Sequence, residues 1–426
     1  MENLIKYQLN KNIVCIDLKS FYATVECVIR GLDPFKTPLV VADSGRGGGS
    51  IVLAVSPYLK TKGIPSRCRI FEIPKGLDII FAKPRMHTYL EYSTKVIETY
   101  LEFISDEDLY VYSIDECFLD LTHYLKLYKK TDYELTKEIL DRITKKLGLY
   151  ATAGIGPNML MAKLAMDIEA KKSPDFIAKW NYSDISTKLW EVYPLSKMWS
   201  IGHRMEKNLN SLGLFKVGDI ANYDKMKLKK IFGVLGLELW YHTNGIDMSL
   251  IADKGKLRKE HKSFGNGQVL FRDYPASEAL TIILEMVDEA TRRLRLSKKM
   301  ARTVHLGVGY SKNYGGGFSR QITLDQPTQN ESIIYKNCLV LFDQFYEGLP
   351  IRTLSVSLTN LVENKSYQFS IFEDPDYLEK EYSLQSTIDK IKFKHGKNAV
   401  NRASSELKHS TIKDRNKQIG GHNSGL

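Results

Sequence analysis

Apolar and polar positions follow two alternating periods through the first 180 residues or so. Apolar runs typical of buried strands occur at 12–18, 38–43, 50–56 and at the start of 150–158. Apolar residues recur at helical spacing in 19–31, 86–104, 132–147 and 159–172. This order predicts an α+β domain whose antiparallel or mixed sheet is covered by helices on one face, a ferredoxin-like arrangement.

The pattern changes in the rest of the chain. Residues 184–245 show helical periods only, 255–265 are polar and basic, and 264–362 return to mixed strands and helices, with a long helix over 276–296. After residue 361 the hydrophobic signal fades, and the basic stretch 393–416 is compatible with a short helix or with disorder. The chain is therefore expected to contain several domains of different classes.

Two acids lie where two short predicted strands meet. The strands cover 110–114 and 117–121, and Asp115 and Glu116 join them. Acids at a hairpin joint are ordinarily explained by solvent exposure, but a third acid nearby would make them a candidate metal site. Asp17 ends another predicted strand, where it either caps the following helix or joins the pair across the sheet. Three such carboxylates repel each other unless hard cations such as Mg²⁺ bind between them. Two cations there would suit phosphoryl transfer.

Composition narrows the class of protein. The chain is 43% hydrophobic and 26% charged, as in globular proteins, and its formal net charge of +11 favours a polyanionic partner. No apolar run approaches the ~18 residues of a membrane span, and the N-terminus lacks a hydrophobic signal segment, so we expect a cytoplasmic protein without membrane contact. Five scattered cysteines without a CxxC pair indicate free thiols and no zinc site.

Three segments resemble the Y-family (translesion) DNA polymerases: DLKSFYATVE at 17–26, YSIDECFLDLT at 112–122 and AGIGPNMLMAKLAMDIEAKK at 153–172. The nearest resemblance is to the UmuC-like (ImpB/MucB/SamB-type) branch of low-GC Gram-positive bacteria and their phages. It implies an α+β multidomain, right-hand polymerase that adds dNTPs to a primer 3′ end by a two-metal mechanism. It also implies low fidelity and a role in synthesis past damaged DNA, in DNA repair and the SOS response.

The resemblance also implies a domain order. We expect a ferredoxin-like palm at 1–31 and 75–180, small fingers at 32–74, a helical thumb with a helix-hairpin-helix at 181–250, a linker at 251–257, an α/β little finger at 258–362, and a clamp-binding motif with a basic tail at 363–426.

Site residues follow from the same resemblance, position by position. Asp17, Asp115 and Glu116 match the catalytic, metal-binding acids, and the backbone carbonyl of Leu18 is a further expected ligand. The implied cofactor is Mg²⁺, two per active site, for which Mn²⁺ can substitute. Tyr22 matches the aromatic steric gate that excludes a nucleotide with a 2′-hydroxyl. Without the family context, Tyr22 would be interpreted as a half-buried aromatic residue of a helix.

Further residues are expected to bind the dNTP. Phe21 lies beside the gate, Tyr58 and Lys60 fall near phosphate-contacting positions of the fingers, and Lys171 matches the triphosphate-binding lysine. The adjacent Lys172 leaves that last assignment open by one position. The chain departs from many family members at Lys19, where they carry a second acid.

DNA and protein partners are expected outside the palm. Gly202 and Arg204 belong to the segment that resembles a helix-hairpin-helix, whose exposed amides can bind a phosphate of primer-template DNA, and Lys262 lies on a basic edge of the little finger. The sequence QFSIF resembles the pentapeptide that binds the bacterial sliding clamp, with the anchors Gln368, Phe369, Ile371 and Phe372. An accessory SOS subunit is a further possible partner.

Two other interpretations compete with the polymerase. A nucleotidyl cyclase shares the ferredoxin-like palm and two-metal chemistry but needs no DNA. A non-catalytic DNA- or clamp-bound accessory protein would retain the shape without the reaction. The thumb-like segment and the basic C-terminal half argue against the cyclase, and the three acids argue against an inactive scaffold, since an idle acid cluster repels itself.

Overall fold

The computed structural model describes residues 4–254, 262–364 and 375–425. The chain divides into two compact units. Unit 1 comprises Met1–Arg258 together with His422–Leu426, and unit 2 comprises Lys259–Gly421. Within the described ranges, none of the helices combines the length and apolarity that a bilayer crossing requires.

Unit 1 contains two sheets and ten α-helices among its described residues. Its strands are β1 Ile13–Leu18, β2 Leu39–Ala42, β3 Val52–Val55, β4 Ile80–Ala82, β5 Leu109–Val111, β6 Glu116–Asp120, β7 Ala151–Gly156 and β8 Ile177–Lys179, with a short strand at His422–Asn423. Its helices are α1 Phe21–Ile29, α2 Pro57–Thr61, α3 Met86–Tyr100, α4 Tyr124–Tyr128, α5 Asp132–Leu147, α6 Met159–Leu164, α7 His203–Asn210, α8 Val217–Ala221, α9 Lys225–Phe232 and α10 Val234–Thr243.

The larger sheet of unit 1 has the strand order β5-β6-β1-β7-β8. β1 lies antiparallel between β6 and β7, and β8 runs parallel to β7, so the sheet is mixed, as the sequence predicted. β1 and β7 are buried on both faces or nearly so, which explains their continuous apolar sequences. The central strand therefore fixes the position of whatever side chains lie at its end.

The helix α5 shows why part of this fold can be predicted from the sequence. Thr131 and Glu134 form a capping box, in which each side chain bonds the other's backbone N–H. Gly148 ends the helix in the left-handed conformation, with φ of 66°. Because both ends carry local signals, the predicted range 132–147 is confirmed.

The predicted helix over 159–172 is not a uniform α-helix. It starts as α6, continues as a π-helix at Ala165–Glu169 and ends as a 3₁₀ turn at Ala170–Lys172. Gly154 and Gly156 of β7 allow the close approach of this helix: a Cβ on Gly154 would lie 2.1 Å from the Ala162 carbonyl oxygen. The helical period alone carries no sign of these changes, the last of which includes Lys171.

The smaller sheet of unit 1 has the order β3-β2-β4 and its own apolar cluster. The glycine-rich segment between β2 and β3 contains a 3₁₀ turn at Ser44–Arg46. Helices α7–α10 share a further apolar cluster that includes Leu189, Leu209 and Leu239. The all-helical character predicted for 184–245 is thus confirmed for its α7–α10 portion.

Unit 2 is a four-stranded antiparallel sheet with helices against one face. Its elements are β9 Ser263–Tyr274, α11 Ala276–Leu296, β10 Lys299–Tyr310, β11 Gly317–Thr328, α12 Glu331–Phe345, β12 Ile351–Glu363, α13 Pro375–His395, α14 Ile412–Asn416 and β13 Gln418–Ile419. The sheet order is β11-β10-β12-β9. Alternate residues of the central strands, such as Val304 and Leu306, are buried in the core against α11 and α12, which explains the period of two in the sequence.

The tail has helical structure that packs on α11. Arg295 of α11 pairs with Asp389 of α13 at 2.6 Å, and Asp288 pairs with Lys392 at 2.8 Å. α13 thus contacts α11 through charged side chains, whereas a helix that packs on a domain normally does so through a stripe of apolar residues. Of the two interpretations of 393–416, the helical one is supported by α14 and by a 3₁₀ turn at Ala403–Glu406.

Candidate active site

The register of the larger sheet brings two of the predicted acids together. Asp17 of β1 lies directly opposite Glu116 of β6, so their side chains share one face of the sheet. Asp115 immediately precedes β6, and its carbonyl oxygen accepts a hydrogen bond from the Leu18 N–H at 2.9 Å. The Ser113 hydroxyl donates to Asp115 Oδ1 at 2.7 Å. The three acids therefore lie at the ends of two adjacent strands.

Two lysines compensate the charge of Asp17, which is half-buried, and of Glu116, which is buried. Lys171 Nζ lies 3.0 Å from Asp17 Oδ2 and 2.8 Å from Asp167 Oδ1. Lys163 Nζ lies 2.7 Å from Glu116 Oε1, to which the Cys15 thiol also donates, at 3.2 Å. Both lysines come from the helical segment after β7. This segment thus supplies the cations that balance the acids of the sheet.

Burial still dominates the electrostatics of these acids. It raises the pKa of Asp17 above the ordinary value, against the attraction of Lys171. It likewise raises the pKa of Glu116, against the hydrogen bond from Lys163. The charge of Asp115 raises the pKa of Asp17 further. Carboxylates held in this state favour additional positive charge beside them.

The donor atoms fit a hard divalent cation in chemistry. Asp17, Asp115, Glu116 and the Leu18 carbonyl offer only oxygen, the ligand type that Mg²⁺ prefers. Across residues 4–254, 262–364 and 375–425, no three His, Cys, Asp or Glu side chains are grouped closely enough to hold a metal ion. Lys171 and Lys163 engage Asp17 and Glu116 instead. Metal binding at this site would therefore involve rearrangement of those pairs.

A cavity of about 970 Å³ opens beside the acids. Asp17, Leu18 and Asp115 line it, together with Phe21 and Tyr22 from the first turn of α1. Burial and then the charge of Asp115 raise the pKa of the Tyr22 hydroxyl. Most of the residues predicted at the active site are thus brought to one cavity.

The cations of this cavity include two that the sequence predicted and two that it did not. Lys60 and Lys171 line it, and so do Lys19 and Arg67. Burial, and then the charge of neighbouring Lys60 and Lys171, lower the pKa of Lys19. In the sequence, Lys19 is only a departure from the family pattern. Four cations around one cavity indicate a binding site for a polyanion.

Lys19 is held at the cavity by an aromatic ring. Its Nζ lies 3.6 Å from the centroid of the Phe176 ring, a cation–π contact. Phe176 has φ of 58°, a left-handed conformation that is rare for a bulky residue and costly. Only the tertiary structure reveals this pair, because the two residues lie far apart in the sequence.

Other predicted residues lie elsewhere. Tyr58 belongs to α2 but is not among the described residues that line the cavity; it packs against the apolar cluster of the smaller sheet. Gly202 caps the N-terminus of α7 and the exposed Arg204 lies in its first turn. Lys262 is exposed just before β9. The predicted clamp anchors, 368–372, lie outside the described residues.

Comparison with known proteins matches three family models to successive parts of the chain. A model of the impB/mucB/samB family matches residues 16–167, its C-terminal domain model matches 261–371, and the helix-hairpin-helix (HHH) motif of the IMS family matches 182–214. A Bacillus subtilis (strain 168) protein named UV-damage repair protein UvrX is 42% identical over 417 residues, which cover 97% of this chain and 98% of that protein.

The chain belongs to the impB/mucB/samB family. DNA polymerase IV 2 of Bacillus subtilis (strain 168) is 34% identical to this family member, over 97% of the chain and 98% of the relative. A solved Y-family DNA polymerase chimera superposes with a TM-score of 0.64 at 20% identity, covering 83% of this chain and all of the chimera. The resemblance and the fold class predicted from sequence, a right-hand polymerase, are both confirmed.

Proposed function

We propose that this protein is a template-directed DNA polymerase of the Y family that extends primers past damaged template bases with low fidelity. The observation that carries the proposal is that Asp17, Asp115 and Glu116 lie at the ends of the adjacent strands β1 and β6, beside a cavity lined by four cations. An acid cluster next to a polyanion site is what nucleotidyl transfer requires. The names of two relatives, a DNA polymerase IV and a UV-damage repair protein, support the same reaction and role.

The acids and the Leu18 carbonyl are proposed to hold two Mg²⁺, for which Mn²⁺ can substitute. Bound there, the cations would lower the pKa of the primer 3′-hydroxyl and neutralise charge on the triphosphate. Divalent-metal dependence is the general expectation for the family. Lys171 is the residue best placed to exchange its contact with Asp17 for one with the triphosphate, because 44% of its side chain is exposed.

The remaining cations extend the proposed triphosphate site. Lys60 and Lys19 face the same cavity as Lys171, and each pKa is lowered by burial. A lysine that is partly desolvated binds a phosphate more strongly than one in bulk water. Tyr22 is proposed as the gate under the deoxyribose, with Phe21 beside it. Tyr58 is proposed only as a support of α2, which carries Lys60.

DNA and protein partners complete the proposal. The exposed N-terminus of α7, with Gly202 and Arg204, and the exposed Lys262 suit contacts with the phosphates of primer-template DNA, independent of base sequence. The sliding clamp is proposed to bind 368–372, and an accessory subunit of the SOS response remains a candidate partner. The domain order stated from the sequence is proposed with two adjustments: β4, at 80–82, belongs with the strands of the fingers, and α13 belongs with the little finger, on whose α11 it packs.

Primer extension tests the reaction. Wild-type protein with dNTPs and Mg²⁺ is expected to extend a primer on an undamaged template, and Asp115→Asn is expected to lose that activity. Asp120→Asn is the matched control, because Asp120 lies at the far end of the strand β6 that follows Asp115, and pairs with Lys11 at 3.1 Å. A folded, DNA-binding wild type without extension, or an Asp115→Asn variant as active as the control, would contradict the proposal. Cyclic nucleotide formed without DNA would favour the cyclase.

A further inference from the structure

A buried carboxylate lies one helical turn behind the proposed gate. Glu26 of α1 is fully buried, four residues after Tyr22. Its Oε1 accepts hydrogen bonds from the Tyr89 hydroxyl at 2.8 Å and from Arg85 Nε at 3.0 Å. Its Oε2 accepts from Arg85 Nη2 at 2.7 Å and also pairs with Arg30. Both carboxylate oxygens therefore accept hydrogen bonds from charged or hydroxyl donors. Hydrogen bonds to an ionised group are strong when the group is desolvated.

The same cluster reaches the gate through an aromatic ring. The Tyr89 ring stacks on the Tyr22 ring, with centroids 4.6 Å apart and planes 24° from parallel. Tyr89 is fully buried in α3, whereas Tyr22 lies partly exposed at the cavity. The face of Tyr22 that packs against Tyr89 is thus supported by a ring whose hydroxyl is fixed at Glu26.

The charges of this cluster are held firmly in the folded protein. Burial would raise the pKa of Glu26, but hydrogen bonds from Arg85, Arg30 and Tyr89 outweigh it, and the pKa lies below the ordinary value. The carboxylate is therefore ionised at neutral pH and keeps all of its donors in place. A steric gate discriminates only as well as its ring is fixed, because a small displacement admits a 2′-hydroxyl.

We propose that Glu26 and Tyr89 are positioning residues for Tyr22, and that they set the preference of the site for deoxyribonucleotides over ribonucleotides. This inference rests on the proposed polymerase function. The competing explanation is that the cluster only stabilises the packing of α1 against α3. In that case, its loss would lower stability and affect both kinds of nucleotide equally.

Tyr89→Phe is the sharpest perturbation, since it keeps the stacked ring and removes only the hydroxyl. We measure kcat/KM for a dNTP and for the matching rNTP in single-nucleotide insertion. The ratio of the two is expected to fall about tenfold, less than the roughly 100-fold that a 1 Å misplacement can cost. Tyr128→Phe is the matched control, because the Tyr128 hydroxyl donates to the Phe103 carbonyl oxygen, at 3.0 Å, outside the cluster.

A double-mutant cycle separates positioning from stability. Once Tyr22→Ala has removed the gate, adding Tyr89→Phe or Glu26→Gln is expected to change the sugar ratio less than about twofold, because neighbouring residues that act as a unit are non-additive. Unchanged ratios in the single variants, or additive effects in the double variants, would overturn the inference. If the wild type itself inserts no dNTP, the proposed function fails instead, and the two failures are distinguishable.

Discussion

Replacing Lys171 by alanine tests the proposed triphosphate site most quantitatively. A hydrogen bond from a charged group to its partner contributes about 1.5–3 kcal/mol. In the free protein Lys171 already pairs with Asp17 and Asp167, but 44% of its side chain is exposed. Giving up such a pair costs about 0.5 kcal/mol. The net contribution to dNTP binding is therefore about 1–2.5 kcal/mol, which corresponds to about a 5- to 60-fold rise in KM.

The assay is steady-state insertion of one correct dNTP on a primer-template at fixed Mg²⁺. Lys171→Arg is expected to retain most of the affinity, since it keeps the charge. Lys172→Ala is the matched control: Lys172 lies beside Ile168 and Trp180, at a different surface depression. The sequence left these two lysines as alternatives, and the structure separates them. Equal effects of Lys171→Ala and Lys172→Ala, or no effect of either, would refute the reasoning.

Three further predictions concern stability and are measured by urea unfolding without metal. Lys163→Met leaves Glu116 buried without its cation, and should lower the free energy of unfolding by about 3 kcal/mol. Gly154→Ala should lower the free energy of unfolding by about 1–3 kcal/mol, because the new Cβ would lie 2.1 Å from a backbone oxygen of α6. Gly202→Ala is its control and should be nearly neutral, because a Cβ on Gly202 would meet nothing within 4 Å. Glu26 has a lowered pKa when folded, so its stabilisation is present above the ordinary glutamate pKa of about 4.3 and is lost as pH falls below it. Glu26→Gln should flatten the pH dependence of stability there, and an unchanged profile would contradict this.

The sequence predicts those elements whose signals are local. The bounds 132–147 and 276–296 agree with α5 and α11, because capping residues and helical period mark α5 and the helical period marks α11. The meeting of Asp17 with the hairpin acids was also predictable, since it requires only that their strands be neighbours in one sheet. The pattern around Asp115 and Glu116 is compatible with a solvent-exposed turn or with a metal site. The resemblance to known polymerases is what favours the metal site.

Other features depend on contacts between distant parts of the chain. The Glu26–Tyr89 hydrogen bond joins residues 63 positions apart, and the Lys19–Phe176 contact joins positions still farther apart. Met166 of the π-helix before Lys171 packs closely against Gly154 of β7. Such contacts follow from packing geometry, which hydrophobic periodicity does not encode.

The central claim is that the cavity lined by Asp17 and Asp115 is the active site of a template-directed DNA polymerase. The measurement that tests it most directly is insertion of a single nucleotide on four primer-templates that differ only in the templating base, with each dNTP offered separately. The account predicts that the preferred dNTP changes with the templating base, that insertion requires a divalent metal, and that Asp17→Ala abolishes it. The same nucleotide inserted opposite every base, or insertion that persists in Asp17→Ala, would contradict the account.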